Sequence, residues 1–370
     1  MREKPLVTFI FGTRPEAIKL APVILEFKKC SDIRINIIQT GQHKEIIEPI
    51  LKIFELKVDK NLDVMKVGQN LSEITSKILI GLQKEFKSNK PKLIIIQGDT
   101  TSAMAGALAG FYEKIKIAHI EAGLRTNNLL NPFPEEANRR IISQISSLNF
   151  APTIESQNNL LKYGICNHVE VTGNTVIDAL LYVSKKQKFQ LNKVYTNASQ
   201  LMILATVHRR ENWGKELEQI AYGLKDIVEK FKAISIVIPM HPNIIIKEVL
   251  KKILGDNERV FLTDPLPYDQ FIKTINDCHF ILTDSGGLQE EAPSLNKPVL
   301  ILRETTERPE AVSSGTAKII GTKRENIFKE AKNLILNRKS YLKMSSATNP
   351  FGDGKASEKI LNSAKKYLID

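Results

Sequence analysis

Short apolar runs alternate with longer stretches of helical period along the whole chain. In the first half the runs occupy 6–11, 33–39, 93–97, 115–120, 148–151 and 169–172. In the second half they occupy 201–206, 234–240, 260–262, 279–283 and 298–302. They are rich in Ile, Val and Leu, and most show no polar alternation, as parallel strands buried on both faces do. Between them, stretches such as 15–29, 71–87 and 217–231 carry apolar residues three and four positions apart, the spacing of a helix with one buried face. Strand–helix alternation of this kind predicts α/β architecture with doubly wound parallel sheets.

The stretch 184–200 is polar and weakly periodic, and is the natural linker. It separates a first domain, 1–183, from a second, 201–354, each with its own strand set, so two stacked Rossmann-like domains with an interdomain cleft are expected. Near the C-terminus, Ala356, Ile360, Ala364 and Leu368 fall four apart and form a stripe that needs a partner to pack on.

Composition narrows the function classes. With 42% apolar and 25% charged residues in 370, the chain is neither disordered nor collagen-like. No apolar run approaches the ~20 residues of a membrane span, and the opening residues lack the apolar core of a secretory leader. The three cysteines, Cys30, Cys166 and Cys278, lie far apart with no metal spacing. That fits a reducing, cytoplasmic setting without disulfides. The net charge of +12 suits an anionic partner, though scattered lysines also simply solvate a surface. Nucleic acid is disfavoured, because no zinc-finger spacing or aromatic-rich basic strand is present.

In open α/β sheets, ligands sit beyond the carboxyl ends of the strands, so the residues after each run carry the chemistry. After the first comes Gly12-Thr13-Arg14-Pro15-Glu16, with Lys19 one turn further on. Pro15 suits a helix start, whose free N–H groups favour an anion, and Arg14 and Lys19 add charge there. The pattern is neither a dinucleotide fingerprint nor a P-loop. Asp99 follows the run 93–97, Glu121 follows 115–120, and Glu135 opens a proline-fixed helix with Arg139 one turn on. Singly, such residues are often helix caps or dipole partners. Together at one sheet edge they are candidates for general acid and base work.

In the second half, His208-Arg209-Arg210 follows 201–206 and His241 ends 234–240. His208 is a candidate ligand to a phosphate or to a reacting group. Asp284-Ser285-Gly286-Gly287 ends a strand and begins a helix, the pattern of a phosphate cradle. Glu291, further along, would accept ribose hydroxyls, and Arg308 would pair with a carboxylate or phosphate.

Taken in order, Gly-Thr-Arg-Pro-Glu (12–16), Gly-Asp-Thr (98–100), His-Ile-Glu-Ala-Gly-Leu-Arg (119–125) and Pro-Phe-Pro-Glu-Glu-Ala-Asn-Arg (132–139) resemble the non-hydrolysing UDP-N-acetylglucosamine 2-epimerases. So do His-Arg-Arg-Glu-Asn (208–212), Asp-Ser-Gly-Gly-Leu-Gln-Glu-Glu-Ala-Pro (284–293) and Glu-Arg-Pro-Glu (307–310). The resemblance implies a glycosyltransferase-B architecture, with a final helix, 355–370, joining the first domain. It implies interconversion of UDP-GlcNAc and UDP-ManNAc through elimination and re-addition of UDP, with no cofactor and no metal, by a homodimer that binds neither nucleic acid nor membrane.

By position, Asp99, Glu121, Glu135 and His208 match catalytic residues of the family. Arg14, Lys19, Arg139, His241, Ser285, Gly286, Gly287, Glu291 and Arg308 match substrate-binding positions, and Phe271 falls where the uracil pocket is expected. Gln42 and His43 match part of a regulatory site for a second UDP-GlcNAc. Glu45 and Gly68 stand where that site has Gln and Arg, so weak or absent activation of that kind is expected. A related UDP-2,3-diacetamido uronic acid is the alternative substrate. A hydrolysing relative, a glycosyltransferase and a nucleotide-sugar sensor are the alternative activities.

Overall fold

The computed structural model describes residues 4–42, 44–66, 68–126, 128–186 and 201–369. The chain divides into two compact units, Met1–Tyr182 with Phe351–Asp370, and Val183–Pro350. Of the predicted linker, residues 184–186 complete a helix, and 187–200 lie outside the described residues.

In the first unit the elements run β1 (Leu6–Phe11), α1 (Arg14–Lys28), β2 (Arg34–Gln39), α2 (Lys44–Ile53), β3 (Lys60–Asn61), α3 (Leu71–Ser88), β4 (Leu93–Gln97) and α4 (Thr101–Tyr112). They continue as β5 (Lys116–Ile120), α5 (Glu135–Ile145), β6 (Leu148–Ala151), α6 (Ile154–Lys162), β7 (Val169–Val171) and α7 (Thr175–Lys186). The strands form a parallel sheet in the order β3-β2-β1-β4-β5-β6-β7. Its centre is apolar on both faces: every residue of β1 and of β4 is buried. The two-residue β3 is too short and too polar to show as an apolar run.

The second unit holds β8 (Leu201–Thr206), α8 (Lys215–Lys230), β9 (Ile234–Pro239), α9 (Ile244–Leu254), β10 (Val260–Thr263), α10 (Tyr268–Asp277), β11 (Phe280–Thr283) and α11 (Gly286–Glu291). Then come β12 (Val299–Ile301), α12 (Pro309–Ser313), β13 (Ala317–Ile319), α13 (Arg324–Leu336) and α14 (Arg338–Ser345). This sheet is parallel in the order β10-β9-β8-β11-β12-β13. The edge strand β13, Ala-Lys-Ile, is missing from the apolar pattern because its middle residue is exposed.

The last helix, α15 (Ala356–Ile369), belongs to the first unit. Ala356, Ile360 and Ala364 of its stripe are buried, and it packs on α1. Asp178 of α7 accepts hydrogen bonds from the Ser357 and Ala356 N–H groups at 2.8 and 3.3 Å, which satisfies donors the first helical turn leaves open.

Both sheets reverse direction once, between β1 and β4 and between β8 and β11. At such a switch point adjacent connections leave to opposite faces and open a crevice beyond the strand ends. The candidate residues are distributed around these two points.

Candidate active site

In the first unit the loop after β1 is packed too closely for any side chain at Gly12. A Cβ there would stand 2.1 Å from Ser102 Oγ and 2.3 Å from Thr40 Oγ1. Glu16, fully buried, folds back to accept hydrogen bonds from the Gly12 and Thr13 N–H groups at 2.9 and 2.7 Å. Its other oxygen takes the Thr100 hydroxyl at 2.7 Å, so Glu16 locks the β1 loop to the β4 loop. Burial raises its carboxyl above the ordinary range, against these donors. Arg14 is half-buried at the start of α1.

Thr100, not Asp99, caps α4, its hydroxyl accepting from Ala103 N–H at 3.1 Å. Asp99 is thereby free of capping. Arg139 Nε donates to it at 2.7 Å, and Asn138 holds its carbonyl at 2.9 Å. Burial raises the Asp99 carboxyl; Arg139 pulls it down and the nearby Glu121 charge pushes it up. Glu121 sits in the left-handed region at φ 65°, a conformation costing about 1 kcal/mol for a side-chain-bearing residue. The carboxylate it delivers is gripped from three sides. Lys19 Nζ lies 2.6 Å from both oxygens, Asn174 donates at 3.3 Å, and Gln97 donates closely as well. Two cations thus offset the repulsion between two adjacent carboxylates.

Glu135 opens α5 half-buried. Its carboxylate has no ion pair or hydrogen bond among the described residues. Arg139, one turn on, goes to Asp99 and to Glu136 rather than to Glu135. Glu136 is the structural member of the pair: fully buried, it accepts from Arg140 at 2.9 Å, from Thr126 N–H at 3.0 Å and from Arg139 at 3.2 Å. Of the regulatory candidates, Gln42 Oε1 accepts from Ser102 Oγ at 2.9 Å, and His43 lies outside the described residues.

Sequence reading gave no role to His119. The structure buries it on β5, two residues before Glu121, with Nε2 2.7 Å from the Gly98 carbonyl. Because a carbonyl only accepts, Nε2 carries the proton. Burial, chiefly, pushes the ring down to about 4, so it is neutral at pH 7 and braces the Gly98–Asp99 turn.

In the second unit, Asp284 is the hub that the sequence reading placed in a motif without a role. Fully buried, it accepts from the N–H groups of His208 and Arg209 and from Asn212 Nδ2. The His208 ring is half-exposed and stacks on exposed His241, centroids 6.3 Å apart. Ser285, Gly286 and Gly287 begin α11. Neither glycine has a positive φ, and a Cβ at Gly286 would come no nearer than 3.7 Å to any atom. Backbone conformation therefore does not demand glycine here, and a methyl group at either position would make only ordinary van der Waals contacts.

Arg308 pairs closely with buried Glu290, and Glu291 lies half-buried beside Gly287. Buried Arg303 grips Glu307 at 3.2 and 3.3 Å, and Arg209 reaches the same carboxylate at 3.2 Å. Burial would raise Glu307, but these guanidinium groups outweigh it and hold the carboxyl below its ordinary range. Phe271 is half-buried on α10, and no ring contact, ion pair or hydrogen bond joins it to the other candidates among the described residues. A cavity of about 690 Å³ lies beside Asn212, Lys215, Arg303 and Lys323, and none of the predicted site residues lines it. No cluster of His, Cys, Asp or Glu among the described residues could hold a metal ion, and no helix among them is long and apolar enough to cross a membrane.

Two parallel α/β sheets, one bearing paired carboxylates with cations and the other a histidine, a glycine-opened helix start and arginines, define an enzyme of the two-domain Rossmann-like class. Residues 25–365 match the UDP-N-acetylglucosamine 2-epimerase family, and the chain belongs to it. It is 46% identical over 368 residues to the UDP-N-acetylglucosamine 2-epimerase of Campylobacter jejuni, covering 96% of each chain. With that of Bacillus subtilis (strain 168) it shares 46% over 360 residues, covering 97% of this chain and 94% of the other. The crystal structure of UDP-GlcNAc 2-epimerase from Neisseria meningitidis bound to UDP-GlcNAc superposes with a TM-score of 0.88 at 44% identity, covering 98% and 100% of the two chains.

Proposed function

We propose that the protein interconverts UDP-GlcNAc and UDP-ManNAc. A base removes the C2 proton, the C1–O bond breaks, and UDP leaves an enzyme-held 2-acetamidoglucal. UDP then adds back as a proton reaches C2 from the opposite face. The observation that carries this reading is the pairing of Asp99 and Glu121 in unlike surroundings. Partial burial pushes Asp99 up, and the less exposed Glu121 is clamped by a lysine and two amides. Carboxylates set apart in this way divide acid and base work.

Glu135, whose carboxylate has no partner among the described residues, supplies a third proton-transfer group. Lys19, Arg14 and Arg139 supply positive charge on the sugar side. His208 meets the departing diphosphate, where charge develops as the bond breaks. The Ser285–Gly287 backbone, Arg308 and Glu291 hold the nucleotide, with His241 and Phe271 beside it. The product suits use as a precursor of a polysaccharide or glycan.

The working form is a homodimer. Exposed Ile80 on α3 and Phe111 and Tyr112 on α4 offer an apolar surface for it, and light scattering should give twice the chain's 41.7 kDa. With Glu45 and Gly68 in place of a regulatory Gln and Arg, conversion of UDP-ManNAc should be hyperbolic without added UDP-GlcNAc.

Proton NMR of the purified enzyme with UDP-GlcNAc in D2O, without added nicotinamide or metal, tests the reading. UDP-ManNAc with deuterium at C2 is the expected result. Unchanged UDP-GlcNAc would refute it and turn the assay to the diacetamido uronic acid. Free ManNAc would identify a hydrolase.

A further inference from the structure

Strands β8 and β11 lie side by side, with Thr206 paired in register to Thr283 and their hydroxyls 2.6 Å apart. The next residues on each strand bring His208 onto Asp284. The Asp284 carboxylate is wholly buried, and a buried charge persists only where donors compensate it. Oδ2 has three: the His208 N–H at 2.9 Å, the Arg209 N–H at 2.8 Å and Asn212 Nδ2 at 3.0 Å. Asn212 is itself oriented by donating to the Leu302 carbonyl at 3.1 Å. Burial alone would raise the carboxyl, but the His208 ring and these donors outweigh it and hold it ionised below the ordinary range.

Oδ1 is different. It is buried and takes no hydrogen bond of good geometry among the described residues; its polar neighbour is His208 Nδ1, 2.9 Å away. An ionised carboxylate has no proton to give, so the imidazole must place its own on Nδ1.

We propose that Asp284 is the positioning residue of the active-site histidine: it fixes His208 as the Nδ1–H tautomer and turns Nε2 outward as the nitrogen that meets the substrate. Asn212 acts behind it by holding Oδ2. The proposal rests on the reading that His208 acts on the departing diphosphate, but the tautomer itself is independent of any substrate.

The test is long-range ¹H–¹⁵N NMR of histidine-labelled, substrate-free enzyme at pH 8.5, with His208 assigned by its loss in His208→Asn. The expected spectrum shows a protonated Nδ1 and a lone pair on Nε2. In Asp284→Asn the neutral amide no longer compels that tautomer, so the two forms should mix. kcat should then fall at least 100-fold while KM stays within about threefold. A wild-type His208 protonated on Nε2 would overturn the proposal without recourse to any variant. So would a folded Asp284→Asn enzyme with an unchanged tautomer and unchanged kcat. An enzyme showing the Nδ1–H tautomer but no C2 exchange would refute the proposed function while leaving the positioning role intact.

Discussion

His119 should make the protein's stability fall steeply in mild acid. In the folded chain its ring is pushed down to about 4 from an ordinary value of 6.5. Between those values the unfolded chain binds a proton that the folded chain refuses. The contribution is therefore fully present above pH 6.5 and is lost as pH falls toward 4. Each pH unit inside the window is worth about 1.4 kcal/mol, so the whole loss is about 3 kcal/mol, and about 2 kcal/mol is gone by pH 5. The perturbation to compare is His119→Gln, which keeps a side-chain donor for the Gly98 carbonyl and removes the titration. Denaturant unfolding of both proteins at pH 7 and pH 5 should show the wild type losing about 2 kcal/mol more than the variant over that interval. NMR titration of the ring should place its midpoint near 4. A stability difference that does not change with pH, or a ring that titrates above pH 6, would refute the reasoning.

The two neighbouring glutamates of α5 should separate chemistry from stability. Glu135→Gln, which breaks no bond among the described residues, should leave unfolding within about 0.5 kcal/mol of wild type and cut kcat by 100-fold or more, whereas Glu136→Gln, which strips charge from two arginines, should cost about 3 kcal/mol. Gly286→Ala, whose methyl would meet no atom closer than 3.7 Å, should keep wild-type stability and weaken UDP binding at least tenfold by calorimetry, whereas Gly12→Ala should cost about 1–3 kcal/mol in overpacking. Lys19→Met should destabilise by about 3 kcal/mol because it leaves Glu121 without its cation, and adding Glu121→Gln should restore part of that loss in the double variant. An additive double variant would show that the two side chains are not coupled.

The sequence carried the two strand sets, because parallel strands buried on both faces need no polar alternation and so stand out as apolar runs. It missed β3 and β13, edge strands of two and three residues with little to bury. Asp99, Glu121 and His208 were legible because ligands collect at strand ends. Their partners were not. Nothing near Glu121 in the chain announces Lys19, 102 residues away, or Asn174, and nothing near His208 announces Asp284, 76 residues away.

Local spacing determined which residues are strands, helices and turns, since those follow from periodicity and backbone geometry within a few residues. The sheet order decided the rest. By reversing at β1–β4 and at β8–β11, it brought together side chains from separate loops and gave each carboxylate its own burial and its own donors. Those surroundings separate Asp99 from Glu121, and Glu135 from Glu136, which carry the same kind of carboxyl group. A carboxyl's charge state depends on the desolvation and the partners that folding supplies.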